Sequence, residues 1–290
     1  MYVIKIGGGA AIGEEAYARF AADLAELRLP VVLVHGGNAE FSALSTRLGM
    51  PPRMITNEKG RVSRYTDRET IDAMLMAYAG KVNKTLVAQL QQAGVNAVGL
   101  SAIDGRIATG RRKPVIRGTE DRKPRVLRDD HAGTIEQIDA TLVRVLLDAG
   151  YLPVLTPPAL ALEAGRPINV DGDKLALELA IELGADGLLF FSDTPGLLLD
   201  KDDEGALIRE IDASNPEQAL SVARGRMVVK VEAALGAIER GVGQVVFSDA
   251  RAEHPIRRAL DGEGTVVRAG AAANRGMNPP AHSDKPDESG

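Results

Sequence analysis

The sequence predicts an α/β fold, a three-layer α/β/α sandwich around a mainly parallel central sheet. Short apolar, β-branched runs alternate along the chain with longer segments whose apolar residues recur at helical spacing. A helix between two strands makes a crossover connection, so the strands run parallel and the helices cover both faces. The predicted strands are Tyr2–Ile6, Val31–Val34, Ala97–Leu100, Leu152–Leu155, Gly187–Phe191 and Gln244–Phe247. The predicted helices are Glu14–Leu27, Asp67–Gln92, Ile135–Ala149, Asp173–Leu183 and Val231–Arg240.

Local signals indicate where several of these helices begin and end. The segments Thr66–Glu69 and Thr134–Gln137 have the spacing of a capping box, in which two side chains satisfy free amides of the first turn. Gly150 and Gly241 stand where a helix C-terminus favours a left-handed residue.

Residues 101–133 interrupt the alternation of strands and helices. Asp104–Gly105 is a strong turn signal, and short apolar pairs then alternate with arginine and lysine, which predicts an antiparallel excursion. Residues 270–290 are rich in proline, asparagine, serine and charge without periodicity, so we expect a disordered tail there.

Composition restricts the class of protein. The chain has 290 residues, of which 44% are hydrophobic and 26% charged, as in a soluble globular protein. It has no cysteine, which excludes disulfides and thiolate metal sites. No apolar run approaches the roughly 18 residues that span a bilayer, and the first residues do not resemble a signal peptide. We therefore expect a cytoplasmic protein with no membrane contact. The net charge of −5 argues against general nucleic-acid binding.

Two predicted strands end in glycines, at Lys5–Gly9 and at Val34–Asn38. A lysine in an apolar strand needs solvent or an anion, because an unpaired buried ammonium is costly. Glycines at the carboxyl end of a strand let a phosphate or carboxylate approach backbone amides. Tight turns alone are the structural alternative for both segments.

Two common nucleotide motifs do not fit the first glycine segment. The phosphate-loop motif is absent, since no Lys-Ser or Lys-Thr follows the glycines. The dinucleotide fingerprint fits poorly, because Gly7, Gly9 and Gly13 are spaced one residue too far and the second strand ends in His35 rather than an acidic residue. NAD binding is therefore a minor alternative.

Four further segments carry polar residues at the ends of strands or helices, each with a structural alternative. Arg64 can grip a carboxylate with two parallel hydrogen bonds, or lie solvated at the surface. An aspartate of Ile168–Asp173 can cap the following helix. Phe191–Gly196 ends a buried strand where ligands of α/β sheets bind. Lys230 ends the segment Gly225–Lys230 at a predicted helix start. A cation there interacts unfavourably with the helix dipole, so we expect Lys230 to have an anionic partner or to point elsewhere.

In this order and spacing, the six segments resemble the amino acid kinase family, and within it the N-acetylglutamate kinase branch, over about residues 2–268. Each motif alone is weak, whereas the ordered set is specific. The resemblance implies the amino acid kinase (carbamate kinase-like) fold. It also implies one lobe, residues 1–166, for the amino-acid substrate and its carrier and another, residues 167–269, for ATP.

The resemblance implies a role for each matching residue. Two lysines neutralise charge on the transferred phosphoryl group and an aspartate orders them; these catalytic residues are Lys5, Lys230 and Asp173. The acceptor is held by backbone amides, by an arginine on its α-carboxylate and by an asparagine; these are Gly36, Gly37, Arg64 and Asn169. The ATP-binding residues are Gly7, Gly8, Ser192 and Asp193. Asn38 stands where the family often has a third glycine.

The chemistry implied by the resemblance agrees with these residue types. A carboxylate is already ionised at neutral pH, so phosphoryl transfer to it from ATP needs no strong base. It needs positioning and cancellation of charge, which two lysines and backbone amides supply. The expected cosubstrate is ATP with Mg²⁺. The sequence shows no dense carboxylate cluster, so we predict no metal site of the protein's own and expect the nucleotide to supply most ligands.

The branch contains two relevant activities. One phosphorylates free N-acetylglutamate in arginine synthesis. The other acts in lysine synthesis on α-aminoadipate, or glutamate, whose amino group is attached to LysW, a small acidic carrier protein. From Arg106 to Arg128 the chain has nine basic and two acidic residues, a local net charge of +7 in a protein of net charge −5. A solvated hairpin is the structural alternative, but such a patch fits an acidic carrier, which favours the second activity.

Within this basic segment, Arg111, Arg112 and Lys113 resemble the carrier-dependent enzymes, and we predict that they dock the carrier. No aromatic residue lies between Arg106 and Arg128, which leaves base stacking with nucleic acid unsupported. Carbamate kinase and aspartokinase share the fold, and a decayed kinase site is a further alternative. The presence together of five matching residues argues against decay; these are Lys5, Arg64, Asn169, Asp173 and Lys230. The resemblance also implies a homodimer, since the first strand begins at Tyr2.

Overall fold

The computed structural model describes residues 1–57, 60, 62–113, 115–120, 123–163, 165–200, 202–223 and 226–270. Its strands are β1 (Tyr2–Ile6), β2 (Val31–His35), β3 (Met54–Asn57), β4 (Val62–Arg64), β5 (Ala97–Ser101), β6 (Ala108–Arg112), β7 (Val115–Glu120), β8 (Lys123–Arg128), β9 (Gly133–Ile138), β10 (Leu152–Thr156), β11 (Ala159–Ala161), β12 (Pro167–Ile168), β13 (Gly187–Ser192), β14 (Leu197–Leu198), β15 (Leu207–Ile208), β16 (Glu210–Asp212), β17 (Gln244–Asp249) and β18 (Thr265–Arg268). Its α-helices are α1 (Glu14–Leu27), α2 (Asn38–Arg47), α3 (Arg68–Leu75), α4 (Asn83–Gln92), α5 (Thr141–Asp148), α6 (Gly172–Leu183), α7 (Pro216–Val222), α8 (Arg226–Glu239) and α9 (Pro255–Leu260). A π-helical segment, Met76–Val82, joins α3 to α4, and a 3₁₀ turn spans Asp104–Arg106.

Within the described residues, eight strands form the central sheet in the order β16-β18-β17-β13-β1-β2-β10-β5. All neighbours from β17 to β5 are parallel, whereas β18 runs antiparallel to β17. The six predicted strands all lie in this parallel part, at their predicted positions or one to two residues longer. β1 lies between β13 and β2, with Ile6 opposite both Phe191 and His35. The predicted fold class is confirmed, and three strand ends meet at one edge.

Helices cover both faces of the central sheet. On one face α1, α4 and α9 pack against side chains such as Ile4 and Ile6. On the other face α5, α6 and α8 pack against side chains such as Val3 and Val34. Each of these buried side chains stabilises the fold by about 1.5–3 kcal/mol. Because side chains alternate along a strand, Lys5 lies on the same face as Val3, beside α6.

The antiparallel excursion predicted for residues 101–133 is confirmed. Strands β7 and β8 form an antiparallel hairpin, and β6 pairs antiparallel with β9. The hairpin joins β3 and β4 in a four-stranded sheet with the order β4-β3-β7-β8, called the hairpin sheet below. Arg64, the last residue of β4, therefore belongs to the same small sheet as four of the nine basic residues of the basic segment, Arg117, Lys123, Arg125 and Arg128.

The predicted helix Ile135–Ala149 is wrong over its first part, and so is the capping box Thr134–Gln137. Residues 133–138 form a strand, β9, and the helix begins only at Thr141. A bulge interrupts the pairing of β9 with β6. Because a bulge adds one residue to a strand, Ile135 and Ile138 both pack against the core although they are three positions apart. That spacing is the helical one, which explains the error.

The other predicted helix ends lie within one residue of those observed, except that α8 begins at Arg226, five residues before the predicted start at Val231. The capping box predicted at Thr66 is wrong by one residue. Asp67 caps α3, and its side chain accepts a hydrogen bond from the backbone amide of Thr70. Thr66 is buried, and its amide donates to the carboxylate of Asp130 at 2.9 Å. Gly150 and Gly241 have φ values of 79° and 97°, as predicted for residues that follow helices.

None of the helices in the described part of the chain has the length and apolarity that crossing a bilayer demands. The tail predicted for 270–290 lies, apart from residue 270, outside the described residues.

Candidate active site

The two glycine segments lie against each other at the carboxyl ends of β1 and β2. A Cβ atom on Gly8 would lie 2.4 Å from the backbone nitrogen of Gly37 and 2.7 Å from the carbonyl carbon of Gly36. The amide of Ala39 donates to the carbonyl oxygen of Gly8 at 2.9 Å, which ties the second loop to the first. Only glycine at position 8 permits this approach of backbone to backbone.

The amides of the two loops divide into engaged and free donors. Gly7 donates to the carbonyl of Phe191, and Gly36 donates to the carbonyl of Ile6. The amides of Gly8 and Gly37 donate to no other residue in the described part of the chain. An anion at this edge can therefore accept from Gly8 and Gly37, as amide donors at strand ends and helix N-termini do in phosphate sites.

Lys5 forms an ion pair with Asp173, with 2.5 Å between Nζ and Oδ1. The Lys5 side chain is 15% exposed and the Asp173 side chain 45%, so the pair stands at the boundary between core and cleft. Asp173 is held in the first turn of α6, which is capped by Asp171 through the amides of residues 173 and 174. The sequence left open which aspartate caps this helix; Asp171 does, and Asp173 is available for the lysine.

Lys230, in the second turn of α8, completes a cluster of charges with Lys5 and Asp173. Burial lowers the pKa of Lys230, with a further lowering by the charge of Lys5, while Asp173 and Asp193 act to raise it. Its Nζ lies 5.8 Å from the centre of the Phe247 ring. The structure thus brings together the three predicted catalytic residues, two cations sharing one nearby carboxylate.

Arg64 lies over the ring of Phe41, with 4.2 Å between its guanidinium carbon and the ring centre. Both terminal nitrogens are 3.5 Å from Oδ1 of Asn38, and the buried Nε has no hydrogen-bond partner in the described residues. Asn38 Oδ1 also accepts a hydrogen bond from the Tyr78 hydroxyl at 2.6 Å. The guanidinium is therefore oriented by an aromatic ring and an amide and keeps donors for an anionic ligand.

The predicted acceptor-binding residues Gly36, Arg64 and Asn169 line one cleft of about 470 Å³ at this edge, whereas Gly37 lines a neighbouring cavity together with Gly8. The lining of the cleft includes Lys5, Gly8, Gly36, Arg64, Asn169 and Asp173. The Asn169 side chain donates to the hydroxyl of Thr66 at 3.3 Å, so its carbonyl oxygen remains available. A cationic group at each end suits an elongated molecule with two carboxylates.

A second, mainly apolar cavity of about 170 Å³ has Lys230 in its lining and shares Asp171 and Asp173 with the cleft. The rings of Phe190 and Phe247, stacked with 5.2 Å between centres, contribute to its lining. Ser192 and Asp193 follow Phe190 at the end of β13, half-buried and exposed respectively, but are not among the described residues that line this cavity. A mainly apolar cavity lined by aromatic rings and a lysine suits a planar base with attached phosphates.

The three residues predicted to dock the carrier differ in their surroundings. Arg111 is 67% exposed and pairs with Glu136 at 3.1 Å. Arg112 is only 19% exposed, forms an ion pair with Asp129 and donates from Nε to a backbone carbonyl. Lys113 is exposed. Arg112 therefore mainly tethers β6 to the loop between β8 and β9.

The residues that the structure describes contain no group of three or more His, Asp or Glu side chains placed to hold a metal ion. The cleft carboxylate nearest the two lysines is Asp173. These residues suit a phosphate-bound Mg²⁺ whose remaining ligands come from a nucleotide and water.

The contacts of four residues at the site were not predicted from the sequence. They involve His35, Asn38, Tyr78 and Asn83. A histidine at the end of an apolar strand and an asparagine in place of a family glycine were visible signals. Tyr78 and Asn83 lie inside a long amphipathic helix, and nothing in the local sequence sets them apart.

Comparison with known proteins identifies the family. The model of the amino acid kinase family matches residues 1–249. The chain belongs to the amino acid kinase family. It is 50% identical over 270 residues to the [LysW]-aminoadipate kinase of Thermus thermophilus, covering 92% of this chain and 100% of that protein. It is also 50% identical to the [LysW]-aminoadipate kinase of Deinococcus radiodurans, over 92% of this chain and 91% of that one. An acetylglutamate kinase of Methanopyrus kandleri is 37% identical, over 92% of this chain and 100% of that protein.

Solved structures agree with this family and with the predicted fold. An N-acetylglutamate synthase from Neisseria gonorrhoeae matches with a TM-score of 0.73 and 25% identity, over 93% of this chain and 59% of that one. A carbamate kinase from Giardia matches with a TM-score of 0.64 and 15% identity, over 92% of this chain and 98% of that one. At this identity the match shows the fold alone. The resemblance drawn from the ordered motifs is confirmed, and membership of the family makes this amino acid kinase an ATP-dependent enzyme.

Proposed function

We propose that this kinase transfers the γ-phosphoryl group of ATP to the side-chain carboxylate of α-aminoadipate, or glutamate, carried on a LysW-like protein, forming an acyl phosphate. Two relatives that are 50% identical to this chain over nearly their whole length are named [LysW]-aminoadipate kinase. The observation that carries the proposal is the cluster of Lys5, Lys230 and Asp173 beside the free amides of Gly8 and Gly37. That arrangement suits phosphoryl transfer to a group that is already an anion.

The roles of the residues follow from charge and position. The acceptor carboxylate attacks without a base, since it is ionised at neutral pH. Lys5 and Lys230 offset the charge on the transferred group, and the amides of Gly8 and Gly37 donate to its oxygens. Asp173 holds Lys5 in place and favours the protonated state of Lys230. Bound Mg²⁺ would neutralise the ATP phosphates.

The two ends of the substrate would lie in different parts of the molecule. Arg64 would bind the α-carboxylate, which stays free when the α-amino group is joined to a carrier, and Asn169 would contact the amino-acid moiety. Residues 1–166 would form the lobe for the acceptor and carrier, and residues 167–269 the lobe for ATP. In the second lobe the base would enter the cavity beside Phe247, with Ser192 and Asp193 near the phosphates and Gly7 beneath them.

One face of the hairpin sheet suits the carrier. Strand pairing puts Met54 beside Arg64, and Val62 beside the residue two positions after Met54, so all lie on the same face. Met54 is 48% exposed and Val62 58% exposed, and both line the cleft. An exposed apolar strip therefore leads out from the arginine proposed for the substrate.

The same face continues onto the basic hairpin. Strand β7 pairs with β3, and within the hairpin Arg117 lies opposite Val126 and Val115 lies opposite Arg128. Both arginines are exposed, and the valines are 57% and 42% exposed for Val126 and Val115. Exposed apolar side chains bordered by arginine are typical of binding surfaces, and the positive charge complements an acidic protein. The proposed docking residues Arg111, Arg112 and Lys113 adjoin this hairpin.

The alternative is an N-acetylglutamate kinase that acts on the free metabolite. The 37% identical relative from Methanopyrus kandleri has the name acetylglutamate kinase, and the cleft has the charges for either acceptor. A small free acceptor gives the basic, partly apolar face of the hairpin sheet no role. This face favours the carrier-bound acceptor.

The deciding experiment measures ATP-dependent acyl phosphate, trapped as a hydroxamate with hydroxylamine. Acceptors are carrier-bound aminoadipate, carrier-bound glutamate and free N-acetylglutamate, each with and without Mg²⁺. Lys230→Met serves as the inactive control. We expect turnover on the carrier-bound acceptors. Turnover on free N-acetylglutamate alone would replace this proposal by the alternative.

We also infer that the chain forms a homodimer, as the resemblance to this branch implied. Light scattering coupled to size-exclusion chromatography would then give twice the chain mass of 30.7 kDa. A hexamer or a monomer at micromolar concentration would overturn this inference.

A further inference from the structure

His35, the last residue of β2, is fully buried and forms hydrogen bonds with both ring nitrogens. Its Nδ1 lies 2.8 Å from the carbonyl oxygen of Gly36, and its Nε2 lies 3.0 Å from Nδ2 of Asn83. The roles assigned above leave this buried pair without a function. His35 contacts the carbonyl of the Gly36–Gly37 peptide, and the same peptide contains the free amide of Gly37. The position of the His35 ring therefore affects the orientation of that amide.

The partners of Asn83 determine which ring nitrogen carries the proton. Asn83 Nδ2 also donates to the carbonyl of Val154 at 3.0 Å, and Oδ1 accepts from Lys84 Nζ at 3.1 Å. With the amide oriented by these two partners, Nε2 of His35 must accept, and Nδ1 carries the hydrogen that goes to Gly36. Burial lowers the pKa of His35 to about 4, aided by the charges of Lys5 and Lys84, so the ring stays neutral.

The π-helical segment that precedes Asn83 contacts the same loop a second time. Its bonds run from residue i to i+5, which brings residues five apart closer to one face than an α-helix does. Tyr78 and Asn83 are five apart, and both contact the loop. A Cβ atom on Gly37 would lie 2.6 Å from the Tyr78 ring, so only glycine fits beneath it.

The planar peptide carries the effect of His35 to the cleft. His35 lies on the α4 face of the sheet, so the Gly36 carbonyl is held toward that face. In a trans peptide the N–H points opposite to the carbonyl, so the Gly37 N–H points away from His35. Gly8, which lies against the Gly37 nitrogen, lines the cleft with Lys5 and Asp173. A side chain at position 8 would cover this amide, and Gly8 leaves it open.

We propose that His35, held by Asn83, is a positioning residue that fixes the Gly36–Gly37 peptide so that the Gly37 N–H donates to the phosphoryl group during transfer. This inference rests on the proposed phosphoryl transfer but not on which carboxylate accepts. It predicts that the donor on Nδ1, and not the volume of the ring, is what the reaction needs.

Two variants separate these possibilities. Asn places its amide nitrogen close to the position of Nδ1, whereas Leu fills space without a donor. We expect His35→Leu to lower kcat about tenfold, with KM for ATP and for the acceptor within twofold of wild type. His35→Asn should keep kcat within about threefold of wild type. Urea unfolding of each variant gives the folded fraction, by which kcat is corrected.

Equal losses of kcat in both variants, or an unchanged kcat in His35→Leu, would overturn the proposal. NMR of protein labelled with ¹⁵N-histidine tests the network without any substrate. We expect His35 to show the Nδ1–H tautomer from pH 5.5 to 8, with no titration. The other tautomer, or a titration in this range, would overturn the assignment. Wild-type inactivity on every acceptor would instead refute the proposed function, while the NMR result would still stand.

Discussion

Lys230 connects the pKa of one buried side chain with the rate of the proposed reaction. Burial lowers the pKa of this lysine, and the nearby carboxylate of Asp173 opposes that effect more than Asp193 does. Only the protonated amine can offset charge on the transferred group. The rate should therefore fall as pH rises through the pKa of Lys230, earlier than for an exposed lysine.

Asp173→Asn keeps the shape of the side chain and removes its charge. The lysines then lose their main counter-charge, so we expect kcat to fall about 100-fold. The alkaline fall of kcat should also move to lower pH, because the carboxylate that raises the pKa of Lys230 is gone. A pH profile of kcat measures both effects. Asp193→Asn is the matched control with a smaller shift, and an equal shift in both variants would contradict the assignment.

Asn38 shows how a departure from a family pattern acquires a physical meaning. In the sequence it stands only as an asparagine where the family often has a third glycine. In the structure its side chain accepts from Tyr78 and lies beside the guanidinium of Arg64. These contacts join α2, the π-helical segment and β4, and such long-range contacts cannot be inferred from local sequence.

Among the elements, the buried strands were predicted most accurately, and the start of the helix predicted over Ile135–Ala149 least. Continuous apolar runs between helices have one interpretation in an α/β fold, and all six predicted strands were found. The bulge that turned a predicted helix into β9 depends on pairing with β6, which local spacing does not contain. The helix predicted over Asp67–Gln92 was placed well, but its π-helical turn over Met76–Val82 had no sequence signal.

The hairpin sheet carries a prediction about the carrier. The double variant Arg117→Glu, Arg128→Glu changes two exposed charges on the face that contains Arg64. We expect KM for the carrier-bound acceptor to rise at least about tenfold, with KM for ATP unchanged, because in the proposed complex the carrier and not ATP contacts this face. The rise should shrink as salt is added, since screening weakens exposed charges. Steady-state kinetics at two ionic strengths measure this.

A control variant on the same hairpin distinguishes an effect of the Arg64 face from an effect of the hairpin's net charge. Lys123 is exposed and pairs with Glu120, so it lies on the opposite face of the hairpin sheet. Lys123→Glu should change the carrier KM by less than either arginine change alone. If it has the same effect, the charge of the hairpin acts only at long range, and docking on the Arg64 face is wrong.

At the scale of the whole molecule, the order of motifs was more informative than any one motif. Lys5, Asp173 and Lys230 are separated by more than 160 and 50 residues in sequence, yet they form one cluster. Parallel strands with crossover helices bring their carboxyl ends to one edge, so the meeting of these segments follows from the fold class. The buried contacts that orient their backbone, such as His35 with Asn83, depend on side-chain packing between β2 and α4 and required the structure.

The buried neutral His35 also affects the stability of the whole fold. Its pKa is about 4 in the folded state, against about 6.5 in an unfolded chain. Between these values the unfolded chain binds a proton that the folded one does not, so the free energy of unfolding falls as pH decreases from 6.5 to 4. The full effect is on the order of 3 kcal/mol. Above pH 6.5 this decrease in the free energy of unfolding is absent, because the ring is neutral in both the folded and the unfolded state.

His35→Asn removes this titrating group and keeps a donor toward Gly36. The variant should therefore lose less stability than wild type when pH is lowered from 7 to 4.5, and the difference between the two proteins should shrink or reverse. Urea unfolding at several pH values and one fixed protein concentration measures this, since association would otherwise add to stability. Other groups titrate alike in both proteins and cancel in the difference. Parallel pH dependences would mean that His35 is protonated in the folded protein, which would also contradict its role as the neutral donor that orients the Gly37 amide.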